Sequence, residues 1–232
     1  MEKTLRVCHL YGNLMNTYGD IGNILVMEYY CHKMGVNLER ELISLHDPFD
    51  PSRYDFVLFG GGQDLEQQVI SRDLQDKKEA LIQYIENDGV MLAVCGGYQL
   101  IGEYYIDASG NKIPGIAALP HYTLGQSDNR FIGNIKIHND QYNETYIGFE
   151  NHSGRTFLGE GERPLGTLLE GNGNNGEDNG EGVIYRNTFG TYFHGPILAR
   201  NENLAVRLIN LALEKRYGSD YTPRTLTELQ AM

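Results

Sequence analysis

The stretch Gly89-Val90-Met91-Leu92-Ala93-Val94-Cys95-Gly96-Gly97-Tyr98-Gln99-Leu100-Ile101-Gly102 decides the fold. The apolar run from Val90 to Val94 has the length of a strand buried on both faces, and the glycines after Cys95 permit a turn too sharp for a residue with a Cβ. A helix beginning around Tyr98 would place the Cys95 thiol at a strand-to-helix elbow, raised above an α/β sheet as a nucleophile. Free N–H groups at that helix start would favour the thiolate. A core cysteine before a glycine turn is the competing reading, because free Cys is among the most buried residue types. The strand on one side and the paired glycines on the other favour the nucleophile.

Upstream of the elbow, strands and helices alternate. Thr4 to Leu10 reads as a first strand. Asp20 is placed to cap a helix whose Ile24, Met27, Cys31 and Met34 share one face and which Gly35 ends. Glu41 to Leu45 reads as a second strand. The Asp47-Pro48-Phe49-Asp50-Pro51 loop leads to a third, Tyr54 to Phe59, which runs into Gly60-Gly61-Gly62. A helix over 71–87 precedes the strand that delivers Cys95. This alternation predicts a mainly parallel sheet flanked by helices, with ligands beyond the carboxyl ends of the strands, where both glycine turns lie.

After about Ile106 the pattern changes. Segments 122–125, 131–138, 144–150, 165–170, 182–186 and 188–193 are short and β-rich with no good helix between them, which predicts antiparallel strands added to the first half. The polar, glycine-rich run 171–182 reads as a mobile loop, 201–217 as a last helix, and 218–232 as a weakly ordered tail. No linker divides the chain, so residues 1–232 read as a single domain.

A formal net charge of −12 argues against unspecific binding to nucleic acid or to an anionic membrane surface. Three cysteines cannot all pair, and the chain opens without a secretory pattern, which points to reduced thiols in the cytoplasm. No apolar run approaches the roughly 18 residues of a membrane span. Without a C-x-x-C or a histidine pair at zinc-ligand spacing, no metal site is expected.

A nucleophilic cysteine needs a base from elsewhere in the chain. His194, in Gly190-Thr191-Tyr192-Phe193-His194-Gly195-Pro196, stands at the end of a predicted strand, on the sheet edge where Cys95 emerges. Acyl transfer also needs donors for an oxyanion, and the N–H groups of Gly96 and of Gly61 or Gly62 are candidates. Neither a G-K-[ST] ending nor a G-x-G-x-x-G helix start favours phosphate.

The triple-glycine turn, the Val94-Cys95-Gly96-Gly97-Tyr98-Gln99 elbow and the late Thr191-Tyr192-Phe193-His194-Gly195 together resemble class I glutamine amidotransferases. Gly148-Phe149-Glu150-Asn151-His152-Ser153-Gly154 resembles their cobyric acid synthase branch. The opening His9-Leu10-Tyr11-Gly12-Asn13-Leu14-Met15-Asn16-Thr17-Tyr18-Gly19-Asp20-Ile21-Gly22-Asn23 is similar to the glutaminase subunits that serve the amidation of lipid II. The resemblance implies the flavodoxin-like amidotransferase fold and a Cys95–His194 glutaminase. Gln99 would touch the substrate glutamine and Arg130 would hold its α-carboxylate. It further implies no cofactor in this chain, and a Mur ligase-like synthetase subunit that binds ATP, magnesium and lipid II at the inner face of the membrane. Leu14 to Asn23 is a candidate for contact with that partner.

One position departs from the pattern. Many class I members carry a glutamate two residues after the histidine, and here Pro196 stands there. The orienting group would then come from another residue or from the synthetase, making the isolated subunit a weak glutaminase. A corrinoid-directed synthetase as partner, a Cys peptidase on the same sheet and a non-catalytic binding subunit are the alternatives. The peptidase is disfavoured because Gly96 occupies the place where such enzymes tend to carry their histidine.

Overall fold

The computed structural model describes residues 3–231. The first half lays down β1 (Lys3–Leu10), α1 (Ile21–Lys33), β2 (Val36–Ile43), β3 (Phe56–Phe59), α2 (Asp64–Glu86), β4 (Val90–Val94) and α3 (Gly96–Ile101). Short strands follow: β5 (Tyr104–Ile106), β6 (Lys112–Pro114), β7 (Tyr122–Gly125), β8 (Phe131–Asn139), β9 (Glu144–His152), β10 (Gly154–Phe157), β11 (Gly166–Glu170) and β12 (Gly180–Glu181). The chain then forms β13 (Val183–Tyr185), β14 (Thr188–Thr191), β15 (Phe193–His194), α4 (Ile197–Arg200), α5 (Glu202–Tyr217) and α6 (Leu226–Gln230). Among these residues no helix is long and apolar enough to cross a membrane.

The central sheet has the order β13-β14-β4-β3-β1-β2, parallel throughout except for the edge strand β13. Its inner strands β3, β4 and β14 are buried on both sides, and alternate residues divide between two cores. Val90, Leu92 and Val94 join Ile24, Met27, Leu208 and Ile209 on the face covered by α1 and α5. Met91 and Ala93 join Ile70, Leu74, Leu81 and Ile85 under α2. The period-2 alternation of the strands meets the 3.6-residue stripe of the helices, giving a three-layer α/β sandwich. Two sheets of the second half, β10-β7-β5-β6 and β12-β11-β8-β9-β15, supply the largely antiparallel additions that the sequence predicts.

Several elements depart from the sequence reading. β2 begins directly after Gly35, whose φ of +68 makes the turn, and not at Glu41. α2 begins at Asp64, immediately beyond the glycine turn, so its first turn belongs to the site. β14 joins the parallel sheet, pairing Thr191 with Val94. The N-terminal N–H of α1, at Ile21, donates to Asn16 Oδ1 at 2.8 Å, while the Asp20 side chain makes no cap.

The run 171–182, which composition reads as a mobile loop, is partly packed into the structure. Asn174, Asn175 and Glu181 are buried. Glu150 accepts from the backbone and side-chain N–H groups of Asn172 through one oxygen and from Gly173 N–H through the other. Asn174 receives Gly182 N–H at 2.9 Å and donates to the Gly182 carbonyl at 2.9 Å. A polar composition is thus compatible with order, because amide side chains replace the ladder that an irregular backbone cannot form. Residues 218–231 likewise take up regular structure, with a 3-10 turn over Gly218–Asp220 and an α6 opened by the Thr225–Glu228 capping box, burying Leu229.

Glu181 ties this run to the site. Its Oε1 accepts from Tyr192 N–H at 2.7 Å and from the Thr191 hydroxyl at 3.1 Å, two or three residues before His194. Burial pushes its carboxyl from the ordinary 4.5 up to about 8. The fold therefore favours the neutral acid. Wild-type stability is full below the usual carboxylate range and declines as pH rises towards 8. Glu181→Gln keeps an acceptor and does not titrate, so its melting temperature gains on wild type from pH 5 to pH 8. Glu181→Ala strands the Tyr192 N–H and loses about 1–3 kcal/mol. Thermal melts across that pH range check both, and a pH-independent difference between Gln and wild type would refute the first.

Candidate active site

The elbow is built from backbone strain and close approach. Cys95 has φ 49 and ψ −106, a conformation that costs a non-glycine residue on the order of 1–3 kcal/mol. It is held from both sides: Cys95 N–H donates to the Thr191 carbonyl at 2.8 Å and Gln99 N–H donates to the Cys95 carbonyl at 2.9 Å. The first bond continues the β4–β14 ladder, so the residue after Val94 is locked beside the residue after Thr191. From there two further residues reach His194, which β15 pairs with Phe149 of β9. Gly97 lies so close to Phe59 that a Cβ would strike the Phe59 carbonyl, which is why the second residue after Cys95 is glycine.

Cys95, His194 and the glycine turn converge. A Cβ placed on Gly61 would lie 3.2 Å from Cys95 Cβ and 3.5 Å from His194 Cε1, with Asp20 Oδ2 at 3.4 Å. This point borders a cavity of about 610 Å³, into which Gly62, Gln99, Arg130, Cys95 and His194 all face. The sequence candidates Cys95, His194, Gly62, Gln99 and Arg130 therefore meet in one site. Gly61 is adjacent to it and Gly96 opens α3 behind the nucleophile.

The electrostatics differ from the sequence expectation. Burial, then the Asp20 carboxylate, pushes the Cys95 thiol up to about 12, while the Gly96 N–H and the Arg130 guanidinium pull it back. α3 has only six residues, and its N-terminal pull is smaller than the cost of burying a thiolate. Burial, with the charges of His152 and Arg130, brings His194 down to about 4. The resting pair is a neutral thiol and a neutral imidazole, so a proton must move between them as the nucleophile attacks. Both ring nitrogens of His194 lack a hydrogen-bond partner among the described residues. Pro196 opens α4 and its ring lies where a Cβ on Gly22 would point, so it serves packing.

The substrate side is more fully built. Gln99 is buried and faces inward, its Nε2 donating to the Tyr192 hydroxyl at 3.2 Å and its Oε1 left without a partner. Arg130 donates Nε to Asn151 Oδ1 at 2.5 Å and Nη2 to the Asn151 carbonyl at 3.1 Å. Asn151 donates in turn to the Tyr18 hydroxyl at 2.6 Å, and the Tyr18 ring lies 4.5 Å from that of His194. His152 stacks on Tyr192 at 3.6 Å between ring centres, and its Nδ1 donates to the Gly154 carbonyl at 2.8 Å.

Gly61 N–H donates to Asp20 Oδ2 at 2.7 Å. Gly61 N–H is thus already engaged, whereas Gly62 lines the cavity. Sequence reasoning missed Asp20, taken for a helix cap, and the Tyr18–Asn151 link to Arg130. Only the polarity of residues 16–20 directly after a strand hinted at the first.

A strained cysteine elbow on a parallel sheet, a histidine from a neighbouring strand and a glycine turn beside both define a cysteine acyl-transfer site of the class I amidotransferase type. Residues 6–202 match the family described as CobB/CobQ-like glutamine amidotransferase domain, and the chain belongs to that family. It is 59% identical over 216 residues, 93% of this chain and 83% of the relative, to a Streptococcus pneumoniae protein named lipid II isoglutaminyl synthase (glutamine-hydrolyzing) subunit GatD. The Staphylococcus aureus protein of the same name is 36% identical over 230 residues, covering 98% of this chain and 93% of the relative. The solved structure of PurLQS from Thermotoga maritima shares the fold at a TM-score of 0.58 and 15% identity, over 84% of this chain and 88% of that one.

Two measurements check this geometry. Gly61→Ala inserts a methyl group between nucleophile and base, and glutamine hydrolysis falls by about 10²-fold while the melting temperature holds. Because the resting thiol is protonated, alkylation of Cys95 by iodoacetamide accelerates about tenfold per pH unit from 7 to 10. A plateau near neutrality would instead reveal a thiolate–imidazolium pair.

Proposed function

We propose that this chain is the glutamine-hydrolysing subunit of a two-subunit synthase that amidates the D-glutamate of lipid II to D-isoglutamine in peptidoglycan synthesis. The convergence of Cys95 and His194 beside Gly61 carries the glutaminase half of this reading. The 59% identity to the pneumococcal relative supports the acceptor.

Glutamine enters with its side-chain amide at Cys95 and its α-carboxylate at Arg130. The Cys95 Sγ–H proton passes to His194 as the Sγ–C bond forms, and the amide oxygen becomes an oxyanion held by the N–H groups of Gly96 and Gly62. His194 returns the proton to the amide nitrogen, the C–N bond breaks, and ammonia leaves a glutamyl thioester. Water then attacks the thioester carbonyl while His194 takes its proton. Breaking the C–S bond releases glutamate, and the thiol recovers the proton.

New amide formation needs a carboxylate activated by ATP and magnesium, which this reading assigns to a Mur ligase-like partner at the inner face of the membrane. Ammonia must reach that partner sheltered from water, where ammonium predominates at neutral pH and is no nucleophile. A His194 with neither ring nitrogen held supports a further point: docking of the partner supplies the group that orients the imidazole.

Ammonia release from glutamine by the chain alone and co-purified with a Mur ligase-like synthetase tests the reading. The isolated chain is slow, and the complex is faster by about 10-fold or more, in line with the contribution of a positioned general base. Cys95→Ala and His194→Ala abolish release in both states. With ATP the complex amidates lipid II and leaves corrinoid carboxylates untouched. A complex that never hydrolyses glutamine would sink the glutaminase, and one that amidates only a corrinoid would sink the acceptor.

A further inference from the structure

The glycine turn does not hold its own shape; the segment before α1 holds it. Gly61 N–H donates to Asp20 Oδ2 at 2.7 Å, and the Gly61 carbonyl accepts from Thr17 N–H at 3.0 Å. The Gly60 carbonyl accepts from Gly97 N–H at 3.1 Å, fastening the turn to α3. Both peptide groups of Gly61 are therefore fixed from residues 17–20. The next N–H, that of Gly62, belongs to the residue facing the cavity.

Asp20 gains nothing else from its position. It is 1% exposed, its Oδ1 has no hydrogen-bond partner, and it does not cap α1, whose first N–H is served by Asn16. A carboxyl buried with one bond is costly, and burial pushes it up to about 7. It also opposes ionisation of Cys95. A side chain that destabilises the fold and hinders the nucleophile, yet grips the peptide adjoining the oxyanion donor, fits a positioning role.

We infer that Asp20 is a positioning residue of the oxyanion hole: by accepting the Gly61 N–H it fixes the Gly60–Gly61 peptide, and with Thr17 N–H holding the Gly61 carbonyl this orients the following peptide so that the Gly62 N–H turns towards the oxygen of the attacked amide. The inference rests on the glutaminase reading. It differs from capping in that an acceptor at Asp20, and not its charge, is what catalysis requires. The donor it aims acts on charge that exists only in the transition state, so its loss appears in kcat.

The test uses the complex with its synthetase partner, comparing wild type, Asp20→Ala and Asp20→Asn. In Asp20→Ala, kcat for ammonia release falls about 10²-fold, the size seen for removing one oxyanion donor, and KM for glutamine stays within about twofold. Alkylation of Cys95 by iodoacetamide, which needs the thiol but no oxyanion donor, is at least as fast as in wild type. Asp20→Asn, whose amide oxygen still accepts from Gly61, recovers kcat to within about fivefold of wild type. The inference is overturned if the alanine variant keeps its kcat, if the asparagine variant is as defective as alanine, or if alkylation collapses in step with kcat. Should alanine fail to fold, the asparagine variant alone decides, a full loss of kcat with alkylation intact being fatal. A wild-type complex releasing no ammonia fails the glutaminase reading itself and is distinguished from all of these.

Discussion

The parallel pairing of β14 with β4 is the constraint on which the site depends. One register, Thr191 against Val94, extended by the bond from Cys95 N–H to the Thr191 carbonyl, brings together Cys95 and His194, 99 positions apart in the chain. A slip by one residue would invert every side chain of a strand that is buried on both faces, so the two cores defend this register. Cys95 can then hold its left-handed φ because the ladder ends in it and α3 begins from it. The strain is local, and rigid elements on either side over-determine it.

That arrangement sets the chemistry as well as the geometry. The buried site raises the thiol and lowers the imidazole, so neither member is charged at rest. A preformed thiolate–imidazolium pair would react with any electrophile that entered. A neutral pair needs a carbonyl in place and an oxyanion donor aimed before proton transfer becomes favourable. Reactivity is thereby tied to substrate and to whatever positions His194.

The first half of the chain and the elbow at Cys95 were legible because their signals are local. The Val90–Val94 run, its glycines and the helix stripe of Ile24, Met27 and Cys31 are patterns of burial at fixed period, and the structure reproduces them. His194 stood out by its strand end and motif, and the structure places it beside Cys95. What escaped were features whose meaning lies in distant partners. Asp20 looks like a cap in sequence and binds a glycine 41 residues away; Glu150 and Glu181 organise a run that composition alone assigns to disorder. Buried carboxylates that bond backbone N–H groups leave no periodicity, so only three-dimensional placement tells them from surface charge.

The same placement explains where the fold sacrifices stability. His194, Gln99, Gln67 and His152 line the cavity, and each carries a buried polar atom without a partner. Such atoms cost about 1–3 kcal/mol each, and a chain selected for stability alone would satisfy or remove them. Clustered around one strained nucleophile, they are donors and acceptors left open for a ligand that itself carries a carboxylate, an ammonium and an amide. The destabilisation of the empty site and the binding of a polar substrate are then two sides of one free-energy difference. It follows that the cavity recognises glutamine by hydrogen bonds, and an apolar analogue of the same shape would leave the deficit in place and be rejected.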